Sequence, residues 1–162
     1  MRLTVSPLEP EAFRPFGDVI RTDAAPETRS INAGRTARFH DLARLTLDAE
    51  GGRPCLSIFR TEPLPLPLRL TMMERHPLSS QAFFPLSGRD WLVVVAPAGE
   101  LDPSAIHAFR ARGDEGVNFH PGTWHHFSLA LGGTSDFLVV DRCDGAPDCD
   151  EVTLAEPLEI DP

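Results

Sequence analysis

The 162-residue sequence contains no lysine and no tyrosine, so all 15 of its cationic side chains are arginine. Without a lysine amine the chain cannot form a Schiff base with a substrate or attach pyridoxal phosphate. The glycine-rich nucleotide-binding motifs and the GxSxG serine elbow are also missing. These absences exclude imine chemistry and leave no sign of a nucleotide site or a serine nucleophile.

Long hydrophobic runs and basic runs are absent as well. The longest apolar stretch, residues 91–98, is far too short to cross a bilayer. The N-terminus reaches polar residues and Pro7 without a hydrophobic signal core. A formal net charge of −9 argues against a nucleic-acid partner. We therefore expect one cytoplasmic domain, residues 1–162, that binds neither nucleic acid nor membrane.

Cysteine is scarce, and its spacing is uninformative. Cys55, Cys143 and Cys149 form neither a disulfide framework nor a zinc-binding pattern. Cys143 and Cys149 are near enough in sequence to pair. In a reducing cytoplasm, however, we expect all three to remain thiols with a structural or inert role.

What the chain does contain favours many short strands over long helices. Sixteen prolines and twelve glycines are spread along it. A short helix is predicted over 9–13, and a second one near 102–105 that extends to His107. The run from Trp91 to Ala96 predicts a strand covered on both faces, by the barrel and by a partner subunit. The other predicted strands are one or two within 31–47, then 55–60, 68–76, 81–85, 117–120, 124–131 and 136–141.

One stretch carries residues typical of a site inside a small β-barrel. Glu74 and His76 are two residues apart, so on a strand both side chains point to one face and Arg75 points to the other. Gln81 follows five residues later, and Gly88 closes a predicted hairpin. The layout matches the first half of a cupin site, with a glutamate in place of the first histidine and a glutamine in place of the acid.

A second stretch supplies the other half of such a site. A strand pair beginning near Gly116 delivers His125 after a Pro-Gly turn. His125 and His126 are adjacent, so only one of them can point inward from a strand. The spacing favours His125, and we expect His126 at the surface or at a subunit interface.

Imidazole and amide donors in this pattern predict a divalent-ion site. His76, Gln81 and His125 are the candidate ligands, and such a set suits Ni²⁺, Mn²⁺, Fe²⁺ or Zn²⁺. The alternative is a polar cluster that performs acid–base chemistry without a metal.

Further polar residues are candidates for the same cavity. His120 precedes the Pro-Gly turn, and Arg38 and His40 share one face of a predicted strand. Arg60, at a strand end, and Arg142 each offer the planar fork that grips a carboxylate. Surface salt bridges are the competing interpretation for both arginines.

As a set, these residues resemble the ureidoglycolate lyase family over residues 2–152. One departure from the family pattern is Phe119, where tyrosine is common, so no role rests on a phenol there. The matching stretches are Arg38-Phe-His-Asp-Leu, Glu74-Arg-His-Pro-Leu, Gln81-Ala-Phe, Trp91-Leu-Val-Val-Val-Ala, Gly116-Val-Asn-Phe-His, Trp124-His-His, Asp136-Phe and Asp141-Arg142.

The resemblance implies a mainly β, cupin-like barrel of the jelly-roll type with a few short helices. It also implies a homodimer that uses nickel and cleaves (S)-ureidoglycolate to glyoxylate and urea. Glu74 or His120 would then be the general base or acid. Arg38 or Arg60, with His40 beside Arg38, would hold the substrate carboxylate.

Other functions remain open at this point. A cupin with such a sparse ligand set is also compatible with a non-catalytic small-molecule binding or sensor protein. A metal-dependent cupin that acts on another small carboxylate is a further possibility. An iron dioxygenase is disfavoured, because Glu74 and Gln81 replace the usual histidine and acid.

Overall fold

A computed structural model describes residues 2–162, and strands dominate that range. The α-helix α1 spans Pro10–Phe13, and 3-10 turns span Thr22–Ala24, Ala49–Gly51 and Pro103–Ala105. The strands are β1 Arg2–Leu3, β2 Val5–Pro7, β3 Gly17–Ile20, β4 Glu27–Ile31, β5 Thr36–His40, β6 Arg53–Thr61, β7 Leu68–Arg75, β8 Gln81–Pro85, β9 Trp91–Ala96, β10 His107–Ala111, β11 Gly116–Phe119, β12 Trp124–His125, β13 Leu129–Ala130, β14 Ser135–Cys143 and β15 Asp150–Ile160.

Most strands belong to two sheets. The large sheet has the order β1-β15-β7-β12-β9-β10-β2, with β13 also paired to β9. The small sheet has the order β3-β11-β8-β14-β6. Strands β4 and β5 pair only with each other, as a separate hairpin. Two sheets of mainly antiparallel strands with apolar side chains between them form a jelly-roll barrel, which confirms the predicted fold class.

Strand β9 shows how the sequence builds this core. Trp91, Val93 and Val95 belong to the apolar cluster that joins the two sheets, where Trp91 meets Phe137 of β14 with ring centroids 5.0 Å apart. The alternate residues of β9, such as Val94, belong to a second apolar cluster on the other face. Both faces of β9 are therefore buried by this chain alone, without the partner subunit that was expected to cover one of them.

A buried carboxylate ties the end of the large sheet to the N-terminal segment. The Glu115 side chain is 3% exposed and lies 3.1 Å from Arg21 and 3.2 Å from Arg112. It also accepts a hydrogen bond from the Arg112 backbone N–H, and its own carbonyl accepts one from Trp91 Nε1. The turn into β11, which leads to the candidate site, is anchored by these contacts.

The structure corrects several local expectations. His107 begins β10 and lies outside any helix, because the capped turn at Asp102 ends at Ala105. The expected strand 124–131 is two short strands, β12 and β13. The long strand β15 and the short strands β1–β3 were not predicted.

The cysteines differ from expectation too. Cys55 and Cys143 form a disulfide between the neighbouring strands β6 and β14, with Cα atoms 5.6 Å apart. The pairing considered from sequence, Cys143 with Cys149, is therefore wrong, and Cys149 is an exposed free thiol. Across residues 2–162, no helix has the length and apolar character needed to span a membrane.

Candidate active site

Strand pairing brings three of the predicted residues together. Glu74 on β7 lies directly opposite His125 on β12, with Glu74 Oε1 3.6 Å from His125 Nε2. His76 follows β7, and its ring centroid is 5.3 Å from that of His125. One potential ligand atom from each of Glu74, His76 and His125 lies within 4.8 Å of the others. We refer to these three side chains as the cluster.

Backbone carbonyls set the orientation of both imidazoles. His76 Nδ1 lies 2.6 Å from the carbonyl oxygen of Asp148, and His125 Nδ1 lies 3.0 Å from that of Thr123. A carbonyl only accepts, so each Nδ1 must carry the proton and donate it. The unprotonated Nε2 of each ring is thereby left with a free lone pair.

Gln81 is not part of the cluster but lines the same cavity as His76, from the small sheet. It begins β8, opposite Phe119 on β11, and its side chain hydrogen-bonds the Asp141 carboxylate. Burial raises the pKa of Asp141, while that hydrogen bond and the His76 charge act in the opposite direction. Gln81, Asp141 and His76 line one cavity of about 290 Å³.

Three buried polar atoms at this place have no hydrogen-bond partner within residues 2–162. They are Nε2 of His76, Nε2 of His125 and Oε1 of Gln81. Such orphaned atoms are costly unless something binds them. Two neutral imidazole nitrogens and an amide oxygen, with the Glu74 carboxylate beside them, fit a borderline divalent cation.

Burial tunes the acid–base groups of the cluster. The pKa of His125 is lowered to about 3, chiefly by burial and secondly by the His76 charge, so this ring is neutral at physiological pH. Burial also raises the pKa of Glu74, with Glu151 adding to the rise and the His76 charge opposing it. Because the Glu74 side chain remains 21% exposed, it can exchange protons with solvent or with a ligand bound at the cluster.

Arg75 and His126 were predicted to point away from the cluster. Arg75 does so, whereas His126 is buried and does not lie at the surface. Arg75 lies over the Trp124 ring at 4.5 Å and pairs with Asp150 at 2.8 Å, on the face opposite Glu74. His126 was expected at the surface or an interface and is instead 5% exposed. Its ring packs on Phe127, with centroids 4.0 Å apart, so the chain itself covers it.

Four predicted candidates do not reach the cluster within this chain. His120 is 41% exposed and lies 3.2 Å from Asp18. Arg60 points outward from β6 and holds Asp136 through two hydrogen bonds of 2.7 and 2.8 Å. Arg38 and His40 lie on β5 of the separate hairpin.

Arg142 does line the cavity, but its guanidinium is already occupied. It donates to the carbonyls of Ala49, Ala146 and Glu50. The Arg142 guanidinium therefore holds two loops together and is not free to bind a ligand carboxylate.

A larger, more open groove of about 720 Å³ lies beside β1, β2 and β10. Its charged groups pair with one another, Arg2 with Asp161 at 3.1 Å and Arg110 with Asp90 at 3.0 Å. It contains neither a histidine nor an orphaned buried polar atom. The smaller cavity beside the cluster is therefore the better candidate for chemistry.

Comparison with known proteins decides the family. The family model described as ureidoglycolate lyase matches residues 1–161. The chain belongs to the ureidoglycolate lyase family. It is similar to the ureidoglycolate lyase of Burkholderia mallei (strain NCTC 10229), with 53% identity over 156 residues, covering 96% of this chain and 91% of the relative. The ureidoglycolate lyase of Burkholderia cepacia is 51% identical over 163 residues, covering 99% and 92% of the two chains.

Relatives in another genus agree with this assignment, which confirms the resemblance inferred from the motifs. The ureidoglycolate lyase of Pseudomonas syringae pv. syringae (strain B728a) is 49% identical over 164 residues, covering 99% of this chain and 96% of the relative. Among solved structures, a dTDP sugar isomerase from Desulfovibrio desulfuricans G20 is 19% identical with a TM-score of 0.44, covering 85% of each chain.

In this member of the ureidoglycolate lyase family, sequence reasoning missed three residues that shape the site. Phe119 stacks on the His125 ring, with centroids 4.3 Å apart and planes at 12°. Asp141 holds Gln81, and Asp148 holds His76. Phe119 and Asp141 lie inside the family-like motifs, which is a usable signal. Asp148 contributes a backbone carbonyl from a loop, and no side-chain pattern reveals such a role.

Proposed function

We propose that this chain cleaves (S)-ureidoglycolate to glyoxylate and urea, with Glu74 as the acid–base residue of the cluster. The observation that carries the proposal is the convergence of Glu74 with three orphaned ligand atoms beside one small cavity. A cavity of about 290 Å³ suits a substrate of only a few carbon atoms. Family membership supplies the substrate class.

The reaction requires the protein to catalyse two proton transfers. One carbon of ureidoglycolate carries the hydroxyl, the carboxylate and the ureido nitrogen. Cleavage removes the hydroxyl proton, breaks the carbon–nitrogen bond and adds a proton to the departing urea nitrogen. Both proton positions are on substituents of the same carbon, so one carboxylate can serve both steps. The raised pKa of Glu74 suits a group that must both accept and return a proton.

The cluster also has the donors to hold a metal. His76, Gln81 and His125 are the proposed ligands, with Glu74 next to them, and nickel is the ion that family membership suggests. When bound, a divalent cation supplies positive charge that lowers the pKa of an alcohol or water bound to it. The chain's own contribution is to fix each imidazole through its Nδ1, which leaves Nε2 as the ligand atom.

The same residues favour elimination of urea over hydrolysis of the ureido group. Hydrolysis needs a strong nucleophile or an activated water aimed at the urea carbonyl. Two side chains of the cavity lining could act as nucleophiles, the Ser79 hydroxyl and the Cys149 thiol. Ser79 already donates to Asp148 at 2.6 Å, and burial, with the neighbouring carboxylates of Glu74 and Glu151, raises the pKa of the Cys149 thiol and so disfavours the thiolate. The cluster needs only to move a proton, which it is equipped to do.

Product analysis tests the proposal. Incubation with ureidoglycolate should release one urea per glyoxylate and almost no ammonia. Glu74→Gln should lower kcat by about 10²- to 10⁴-fold, as expected for loss of a general base. Glu156→Gln is the matched control, because Glu156 is an exposed glutamate of the neighbouring strand β15 that does not contribute to the pKa of Glu74.

Other outcomes would point to other functions. Stoichiometric ammonia would indicate a hydrolase, and binding without turnover would indicate a sensor. Oxygen consumption would indicate a dioxygenase.

The molecular context is also part of this proposal. We infer a single domain over residues 1–162 that works in the cytoplasm as a homodimer. The hairpin formed by β4 and β5 supports a second copy, because its side chains are exposed in one chain.

A further inference from the structure

Within residues 2–162, the candidate site has no free arginine to receive a carboxylate substrate. Arg142 is the only arginine that lines the cavity, and backbone carbonyls occupy its guanidinium. Arg75 faces away and is paired with Asp150. Residues 141–151, six of which line the cavity and which we call the cavity mouth, contain five acids against one arginine. In one chain, an anionic substrate therefore approaches a predominantly negative entrance.

A second feature of the chain is a β-hairpin that pairs with neither of the two main sheets. We call residues 27–40, which include β4 and β5, the hairpin arm. Its strands pair only with each other, and nine of their ten residues are exposed. Ile31 and Phe39 keep 37% and 39% of their surface in solvent. An isolated two-stranded hairpin is marginally stable in water, so this geometry requires a covering surface.

The charge of the hairpin arm is opposite to that of the cavity mouth. The arm contains three arginines and one glutamate, in a chain with a net charge of −9. Arg29 is occupied by Glu27, at 2.6 and 2.7 Å. In residues 2–162, no carboxylate lies within ion-pair distance of Arg35 or Arg38. The arm therefore presents two free guanidinium groups.

We propose that the hairpin arm of one copy docks on a second copy and places Arg38 at the mouth of that copy's cavity, where it binds the substrate carboxylate. This inference rests on the proposed function. A basic arm and an acidic mouth on the same chain are complementary when two copies are related by a twofold axis, so each copy gives an arm and receives one. Arg38 then supplies the bidentate fork that the single chain lacks.

The proposal predicts a specific defect when Arg38 is removed. Arg38→Ala should raise KM for ureidoglycolate by about 10- to 100-fold, as expected for loss of a charge-assisted contact, with a smaller effect on kcat. Arg14→Ala is the matched control, since Arg14 is also exposed and pairs only with Glu11 on the surface. An unchanged KM for Arg38→Ala would overturn the assignment.

A mixed dimer separates an arm that acts on its partner from one that acts on its own chain. Arg38→Ala and Glu74→Gln subunits are co-expressed with different tags, and the mixed dimer is isolated. If the arm acts on the partner, one of the two sites has both an intact arm and an intact cluster. Activity should then return to about half that of the wild-type dimer. If the arm acts on its own chain, both sites are defective and activity stays at the level of the single variants, which would overturn the proposal.

Cross-linking tests the docking without any turnover. Cys149 is exposed and lies beside Glu74, with ligand atoms within 4.8 Å. A short bismaleimide should therefore join the thiol introduced by Arg38→Cys to Cys149 of the partner subunit and give a covalent dimer. Arg14→Cys should not give this product, and adding Cys149→Ser to the arm variant should abolish it.

The two tests distinguish failure of the arm from failure of the function. A covalent dimer from the Arg38→Cys variant, together with no cleavage of ureidoglycolate by the wild-type protein, would refute the function and leave the docking intact. An active enzyme that stays monomeric at assay concentration, or that cross-links only within one chain, would refute the docking.

Discussion

Asp148 provides a demanding test of how the site is held together. Its side chain accepts hydrogen bonds from the Leu78 backbone N–H and from Ser79 Oγ, both at 2.6 Å. Its backbone carbonyl accepts the Nδ1 proton of His76. The carboxylate therefore fixes the loop whose carbonyl sets the His76 orientation.

Removing that carboxylate should cost both stability and metal affinity. A hydrogen bond to a charged group contributes about 1.5–3 kcal/mol, and the two here share one acceptor, so we expect Asp148→Ala to lose about 3 kcal/mol of unfolding free energy. Ser79 is 4% exposed, so its hydroxyl would be left unpaired. With His76 less firmly oriented, metal affinity should fall by about 10- to 100-fold. Urea unfolding in chelator measures the first effect, and calorimetric metal titration measures the second.

Asp144→Asn is the control, because it removes a carboxylate of the same loop and asparagine tolerates the left-handed backbone at this position, where φ is 61°. Asp144 pairs with Arg53 at 2.6 Å, but both side chains are more than 60% exposed. Such a surface pair contributes about 0–1 kcal/mol. Equal losses of stability in the two variants, or an Asp148→Ala protein that binds metal as tightly as wild type, would refute the reasoning.

Three further predictions follow from buried groups. Glu115→Ala should destabilise the fold by about 3 kcal/mol in urea unfolding, since Arg21 loses its buried partner and keeps only the exposed carboxylates of Glu9 and Asp23, whereas the exposed Glu11→Ala should change little. Phe137→Ala should lose about 3–5 kcal/mol, because the ring is fully buried between the sheets and leaves a cavity; a loss below 1 kcal/mol would contradict this packing. His125→Ala should lose metal and activity together, and chelation of wild-type protein should reproduce the defect; full activity in metal-free protein would make the cluster a purely acid–base site.

The sequence predicted those elements whose local pattern agrees with their environment. Strands β8 and β9 occur at the predicted bounds, since each is a short apolar run between turn residues. Strand β15 was missed, because its pattern includes Pro157 and its pairing with β7 shifts register between Thr153 and Leu158. The 107–111 strand was hidden by the helix signal at Asp102, which the structure limits to a single turn.

The candidate site likewise has features that the sequence predicted and features that it could not predict. Parity on a strand was sufficient to place Glu74 and His76 on one face and Arg75 on the other. Parity does not show which strands become neighbours, so the disulfide between β6 and β14 could not be predicted from it. Nor does it show whether Arg38 serves its own chain, because that depends on where a whole hairpin lies.

The position of the last strand bears on how the protein is made in the cell. Strand β15 lies directly beside β7, with Glu151 opposite Glu74, and Asp148, just before it, orients His76. A nascent chain that has emerged only as far as β14 already contains Glu74, Gln81 and His125. It lacks the carbonyl that turns the His76 ring and the strand that flanks Glu74. The complete arrangement of the cluster therefore forms only after β15 has been synthesised and has paired with β7.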